Sequence, residues 1–140
     1  MRDILAILPT PSVDSEEFWN ACDREELLLR RCEDCGTVFY YPRPHCVKCG
    51  GERLQWQRSA GVGAIHSLTN VAVSFYGKDW ESQLPYTVVL VDLAEGPRML
   101  SRLLDAKPEQ IRIGAPVRLA FVAVEGRKLP FFRPAEEEAK

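Results

Sequence analysis

The chain has 140 residues, 46% hydrophobic and 27% charged, with 18 Lys and Arg against 20 Asp and Glu. That length and balance fit one compact domain, or two small lobes leaning on each other, with a modest core. They exclude a strong polyanion binder, and no apolar run approaches the roughly 20 residues that a membrane helix needs.

Divided along the chain, residues 1 to 23 carry a net charge of −4, residues 24 to 58 carry +2, and residues 59 to 140 are balanced. The stretch from Met1 to Pro11 has Asp3 near its start and prolines at 9 and 11, so it lacks the basic start and continuous apolar centre of a signal peptide. It reads as an extended arm, and a cytoplasmic location is expected. Asp14 followed by Glu17 then gives a capping-box-like start, with Asp14 or Ser15 able to accept the first backbone N–H groups of a helix from about Ser15 to Asp23. Phe18, Trp19 and Cys22 fall on one side of that helix. Two roles suit this face: packing on the chain's own core, or anchoring a partner, since so short a helix is marginal alone.

Leu27 to Leu29 begin a strand that runs into Cys32. Two Cys-x-x-Cys-Gly units follow, Cys32 to Gly36 and Cys46 to Gly50. The two-residue spacer lets both sulfurs of a unit face one ion, and the glycine permits the tight turn that aims backbone N–H groups at sulfur. Two such units at this separation, in a chain without the βαβ pattern of a thioredoxin, specify a zinc ribbon with Cys32, Cys35, Cys46 and Cys49 as ligands. Four protein ligands leave no open coordination position, so the zinc is structural. His45 adjoins Cys46 and would break the symmetry of the pair, and Cys22 lies outside it as a buried thiol.

Arg53 to Arg58 reads as the ribbon's return strand. From Ala64 to Phe75 a long curved strand is expected, with Ile65, Val71, Val73 and Phe75 on one face. Residues 76 to 85 form a polar and aromatic loop, Tyr86 to Leu93 a buried strand, and Glu95-Gly96-Pro97 a turn into Arg98 to Leu104. Lys107 to Gln110 can make one helical turn before strands at Val117 to Val124 and Leu129 to Arg133, and Glu136 to Glu138 is a solvated tail. The fold class is therefore mainly β: a short N-terminal helix, a rubredoxin-like zinc ribbon, and a five-stranded Greek-key barrel of the OB type. The boundaries are 1–31 for arm, helix and entry strand, 32–58 for the ribbon, 59–134 for the barrel and 135–140 for the tail. The sequence offers no phosphate-cradling glycine loop, no nucleophile elbow and no acid–base pair; His66 stands without an evident partner.

This order of features resembles a family of small proteins that join a rubredoxin-like zinc ribbon to an OB-fold, long called a domain of unknown function and associated with acyl-CoA enzymes. The resemblance rests on Phe18-Trp19, Leu28 to Gly36, Tyr41 to Pro44, Cys46 to Gly50, Gly63 to Thr69, Pro85-Tyr86, Glu95 to Arg98, Ile113 to Val117 and Pro130 to Pro134, and spans about residues 9 to 134. Ala21 stands where a glycine is common. The resemblance implies a non-catalytic subunit of a thiolase-type acyl-CoA enzyme (a thiolase, acyl-CoA synthase or aldolase), docking on a thiolase-fold catalytic subunit and helping to form its acyl-CoA site. Coenzyme A or an acyl-CoA is then a possible ligand; Arg43, Arg98 and Arg133, beside matched motifs, are the candidates for its phosphates, and Phe18 and Trp19 for partner docking. A nucleic-acid-binding ribbon/OB module is the second reading, opposed by the acidic pI near 5.7. A stand-alone acyl-CoA hydratase or thioesterase is the third, and it lacks an acid–base pair.

Overall fold

The computed structural model describes residues 8–74 and 78–135. Helix α1 spans Glu16–Asp23, and three strands, β1 (Leu28–Cys32), β2 (Val38–Phe39) and β3 (Leu54–Arg58), follow it. They pair antiparallel in the order β2-β1-β3, with Arg30 opposite Phe39 on one side and Trp56 on the other. The second half contains β4 (Val62–Val71), a helical turn α2 (Lys78–Glu81), β5 (Tyr86–Leu93), β6 (Arg98–Leu103), a 3-10 turn at Pro108–Gln110, β7 (Pro116–Val124) and β8 (Arg127–Pro134). These five strands close into a barrel of order β4-β5-β6-β8-β7, in which β6 and β8 run parallel and the other neighbours antiparallel. The expected mainly β class, short helix, ribbon and OB barrel are all present.

Alternation builds the barrel. Val89, Val91 and Leu93 of β5, with Met99 and Leu103 of β6, point inward and are buried, so the residues between them face outward. Strand β8 is the exception, because Leu129 to Phe132 are buried consecutively and both of its faces are therefore covered. Phe132 fills the barrel, while Leu129 and Phe131 alternate onto the outer wall. The core is continuous across the two halves: Phe18, Trp19, Cys22, Leu27 and Leu29 belong to one buried cluster with Ile65, Val89, Met99 and Phe132. At the crossing from ribbon to barrel, Glu95 accepts from the Ser59 hydroxyl and the Ala60 N–H, both at 2.8 Å. Gly63 has no room for a side chain, since an added Cβ would sit 2.4 Å from the Asp92 carbonyl oxygen.

Three local expectations need correction. Helix α1 begins at Glu16 with Ser15 at its N-cap but without a side-chain cap, because the buried Ser15 hydroxyl accepts from the Ser12 N–H at 2.9 Å instead. The long strand ends at Val71, and a bulge between Ile65 and Ser67 changes its parity, so Leu68 rather than Ser67 packs against the core. Val73 is exposed; Phe75 lies outside the described residues, as do the tail from Glu136 to Glu138 and the arm as far as Ile7. Within the stretch expected to be a loop, Lys78 to Glu81 forms a helical turn.

The aromatic pair of α1 packs against the core. Phe18 is fully buried and Trp19 is 9% exposed. The Phe18 ring meets Trp19 edge-on at 4.9 Å and Tyr41 at 5.4 Å, and Trp19 Nε1 donates to the Tyr41 hydroxyl at 2.8 Å. The pair thus packs into the seam between ribbon and barrel. Phe18→Ala should cost about 3–5 kcal/mol. Because the core is shared, urea unfolding followed by far-UV circular dichroism and by tryptophan fluorescence should give one coincident transition; two separated transitions would show independent lobes.

Candidate metal centre

The ribbon brings the four sulfurs of Cys32, Cys35, Cys46 and Cys49 within 4.8 Å of one another. Cys32 ends β1; Cys35 and Cys46 lie on opposing turns. Each unit is built the same way: the Gly36 N–H donates to the Cys32 carbonyl at 2.8 Å and the Gly50 N–H to the Cys46 carbonyl at 3.0 Å. Gly36 and Gly50 both adopt φ +77°, a left-handed conformation that glycine adopts without the usual Cβ clash. Backbone N–H groups point at sulfur, Lys48 to Cys46 and Gly51 to Cys49, each at 3.4 Å.

The distances fit a tetrahedral tetrathiolate. Cys32 to Cys49 and Cys35 to Cys46 are both 3.6 Å between sulfurs, close to the edge of about 3.8 Å of a tetrahedron with Zn–S of about 2.3 Å. The Thr37 hydroxyl and N–H pull the Cys35 thiol down to about 6. Gly51 pulls on Cys49, yet the neighbouring thiols of Cys32 and Cys35 together with desolvation push it up to about 12. Four sulfurs this close resist ionising together unless a cation shares the charge. Zinc would take all four, leaving no position for water or substrate, and its contribution is to hold the ribbon's turns together.

Around the sulfurs, Arg53 pairs with Asp34, its Nε donating to Oδ1 at 2.9 Å, and Gln55 bonds Glu33. His45 is turned to Glu52 at 3.0 Å, outside the sulfur cluster. Cys22 is fully buried, and desolvation pushes its thiol up to about 12, which makes it inert.

The other candidate residues lie apart from this centre. Exposed Arg43 stands in the turn before Cys46. Arg98, at the start of β6, donates through Nε to Asp92 Oδ1 at 2.7 Å and holds that carboxyl below its usual range. Arg133 on β8 pairs with Asp105 at 3.0 Å and lines a polar cleft of about 610 Å³ between ribbon and barrel, together with Arg58 and Arg118. His66 does have a partner, the Oδ2 of Asp92 at 3.2 Å. The signal for it in the sequence is slight: one acidic residue in the apolar run of β5, aligned with His66 by a bulge. His66, Asp92 and Arg98 form a surface cluster on the barrel, in which the carboxylate is already shared.

Comparison with known proteins agrees with this geometry. Residues 19–55 match the model of the ChsH2 rubredoxin-like zinc ribbon domain and residues 56–122 that of the ChsH2 C-terminal OB-fold domain. A DUF35 domain-containing scaffold protein of Methanocaldococcus jannaschii is 35% identical over 100 residues, which cover 71% of this chain and 70% of the relative. The chain belongs to the ChsH2 (DUF35) family. Among solved structures, the family member in the Ltp2-ChsH2(DUF35) aldolase superposes with a TM-score of 0.77 at 30% identity, over 91% of this chain and 98% of that one. A probable enoyl-CoA hydratase alpha subunit of Thermomonospora curvata is 33% identical over 93% of this chain, but the chain spans only 41% of that relative's length.

For this DUF35 chain, elemental analysis of freshly purified protein should find about one zinc, and Cys35→Ser or Cys46→Ser should lose it together with the ribbon, since a structural site ties on the order of 10 kcal/mol of metal binding to folding. The sign with pH follows from the ligands. Zinc must displace the proton held on Cys49, so loading at neutral pH should release protons, and chelator competition should strip the metal more readily as pH falls.

Proposed function

We propose that this chain is a non-catalytic, zinc-stabilised subunit of a thiolase-type acyl-CoA enzyme, which docks on a thiolase-fold catalytic subunit and helps to form its acyl-CoA site in the cytoplasm. The observation that carries this reading is the end-to-end match, 98% of that chain, to the DUF35 member of the Ltp2-ChsH2 aldolase. The names of two further relatives point to the same substrate class, since an enoyl-CoA hydratase alpha subunit and a pregnadiene-carboxyl-CoA hydratase alpha subunit of Mycobacterium tuberculosis both act in the context of a thioester of CoA.

The chemistry of the chain suits an accessory role. The zinc centre is closed, Cys22 is inert, and the carboxylate beside His66 is already engaged by Arg98. Reaction at a thioester would then depend on a nucleophile or base supplied by the partner. For the CoA phosphates, Arg133 is the strongest of the three candidates, because Arg58 and Arg118 line the same cleft and the three guanidinium groups outnumber the carboxylates of Glu25 and Glu26 there. Arg98 and Arg43 lie outside that cleft.

Co-expression with a thiolase-like protein encoded beside it should give a complex that survives size-exclusion chromatography, with acyl-CoA turnover only in the complex. In that complex Arg118→Ala with Arg133→Ala should weaken CoA binding by about 1–3 kcal/mol while leaving assembly intact, read by titration calorimetry. Thioester hydrolysis or enoyl-CoA hydration by the isolated chain, abolished by His66→Ala, would overturn the proposal.

A further inference from the structure

A second cleft, of about 360 Å³, lies on the outer wall of the barrel and is walled by Trp19, Tyr40, Tyr86, Leu129 and Phe131, with Arg102 among them. Its position follows from the strand alternation. On β6, Met99 and Leu103 point into the barrel, so Arg102 points out, and on the paired β5 the outward row includes Tyr86. Leu129 and Phe131 supply the opposite wall from β8, and the seam between α1 and the ribbon closes one end with Trp19 and Tyr40.

An outward arginine on a strand ordinarily reaches water or a carboxylate. Arg102 does neither in full. Its guanidinium lies 4.6 Å from the centre of the Tyr86 ring and 5.4 Å from that of Phe131. Its Nε and Nη1 are buried and have no hydrogen-bond acceptor among the described residues. The other arginines of this wall are served: Arg98 by Asp92 and Arg133 by Asp105. Buried donors are almost always satisfied, and a guanidinium stays charged even where burial lowers its pKa, as it does here. Ring faces offset part of the cost of desolvating the charge but supply no in-plane acceptor.

We infer that this groove is a binding site for an apolar or aromatic carboxylate, with Arg102 as the anchor of the carboxylate and the aromatic walls taking its body. The chemistry narrows the ligand class. A planar carboxylate matches the fork of a guanidinium. One guanidinium balances one negative charge; a phosphate ester would bring nearly two into a cleft whose other walls are aromatic and aliphatic. The inference is independent of the proposed partner and of CoA, whose candidate arginines lie elsewhere.

Zinc-loaded full-length protein titrated calorimetrically with 1-naphthoate, 1-naphthamide and 1-naphthyl phosphate tests this directly. The three probes share one apolar body and differ in the group that meets Arg102. Naphthoate should bind about tenfold or more tightly than the neutral amide, the discrimination expected of one charge-assisted pair, and more tightly than the phosphate. Arg102→Met should erase the preference for acid over amide, Arg102→Lys should keep part of it, and Arg98→Met should leave it unchanged. Should Arg102→Met fail to fold by circular dichroism and zinc content, the wild-type comparison of acid with amide and the Arg102→Lys variant decide. Equal binding of acid and amide, no binding of any probe, tighter binding of the phosphate, or a preference that survives in Arg102→Met would overturn the inference.

Discussion

Four thiols gathered within 4.8 Å of one another hold the ribbon, and much of the molecule depends on that ribbon keeping its shape. The ribbon has almost no core of its own: Cys32, Phe39 and Cys46, with Leu54 against them, form the small buried cluster around its sulfurs. So small a cluster cannot offset the conformational entropy of the turns it orders. The metal supplies the difference. With the turns closed, β1 and β3 are in register, and that register delivers Leu29 and its neighbour Leu27 to the barrel's core. Helix α1 then has a surface to cover, and β8 acquires a cover on its outer face.

The joint between the halves is reinforced by polar contacts that act at its edges. Asp23, at the C-terminal end of α1, is an unfavourable place for an anion beside the helix dipole. It is matched by the β7–β8 hairpin, where the Lys128 N–H donates to Asp23 Oδ1 at 3.1 Å and Arg127 Nε lies 3.2 Å from Oδ2. Glu95 plays the corresponding part at the linker. Such half-exposed pairs each contribute little energy. Their effect is on geometry, since they tie the ribbon and α1 to the barrel at fixed points.

What the sequence made legible was whatever repeats or alternates. The paired Cys-x-x-Cys-Gly units name their own ligands, and the alternation of β5, β6 and β7 gives the barrel strands nearly to the residue. Where the sequence misled, a tertiary contact had replaced a local rule. The bulge after Ile65 moved Leu68 onto the core face, an event that leaves no mark in composition. Ser15 gave its hydroxyl to Ser12 instead of capping its own helix. A short aromatic helix must bury its face against something, and the sequence could not say that β8 and Tyr41 lie beside Phe18 and Trp19. Arg102 is hidden for the converse reason: an arginine on the polar side of an alternating strand reads as solvated until the rings of Tyr86 and Phe131 are seen against it.

The two clefts place opposite demands on the charges that line them. In the cleft between ribbon and barrel, Arg133 and Arg58 have carboxylates nearby, Asp105 at 3.0 Å and Glu26 at 4.0 Å, so a ligand must compete with these for the two cations. In the groove on the outer wall, Nε and Nη1 of Arg102 have no such competitor among the described residues. An anion arriving at the first cleft exchanges one partner for another, and the net gain is the difference between two charge-assisted bonds. At Arg102 part of the desolvation of the guanidinium has already been incurred in folding, so a carboxylate that reaches Nε and Nη1 gains its hydrogen bonds without displacing a protein partner. Preorganisation of that kind is what separates a binding site from a basic surface, and here it comes from the aromatic residues around a single arginine rather than from the number of positive charges.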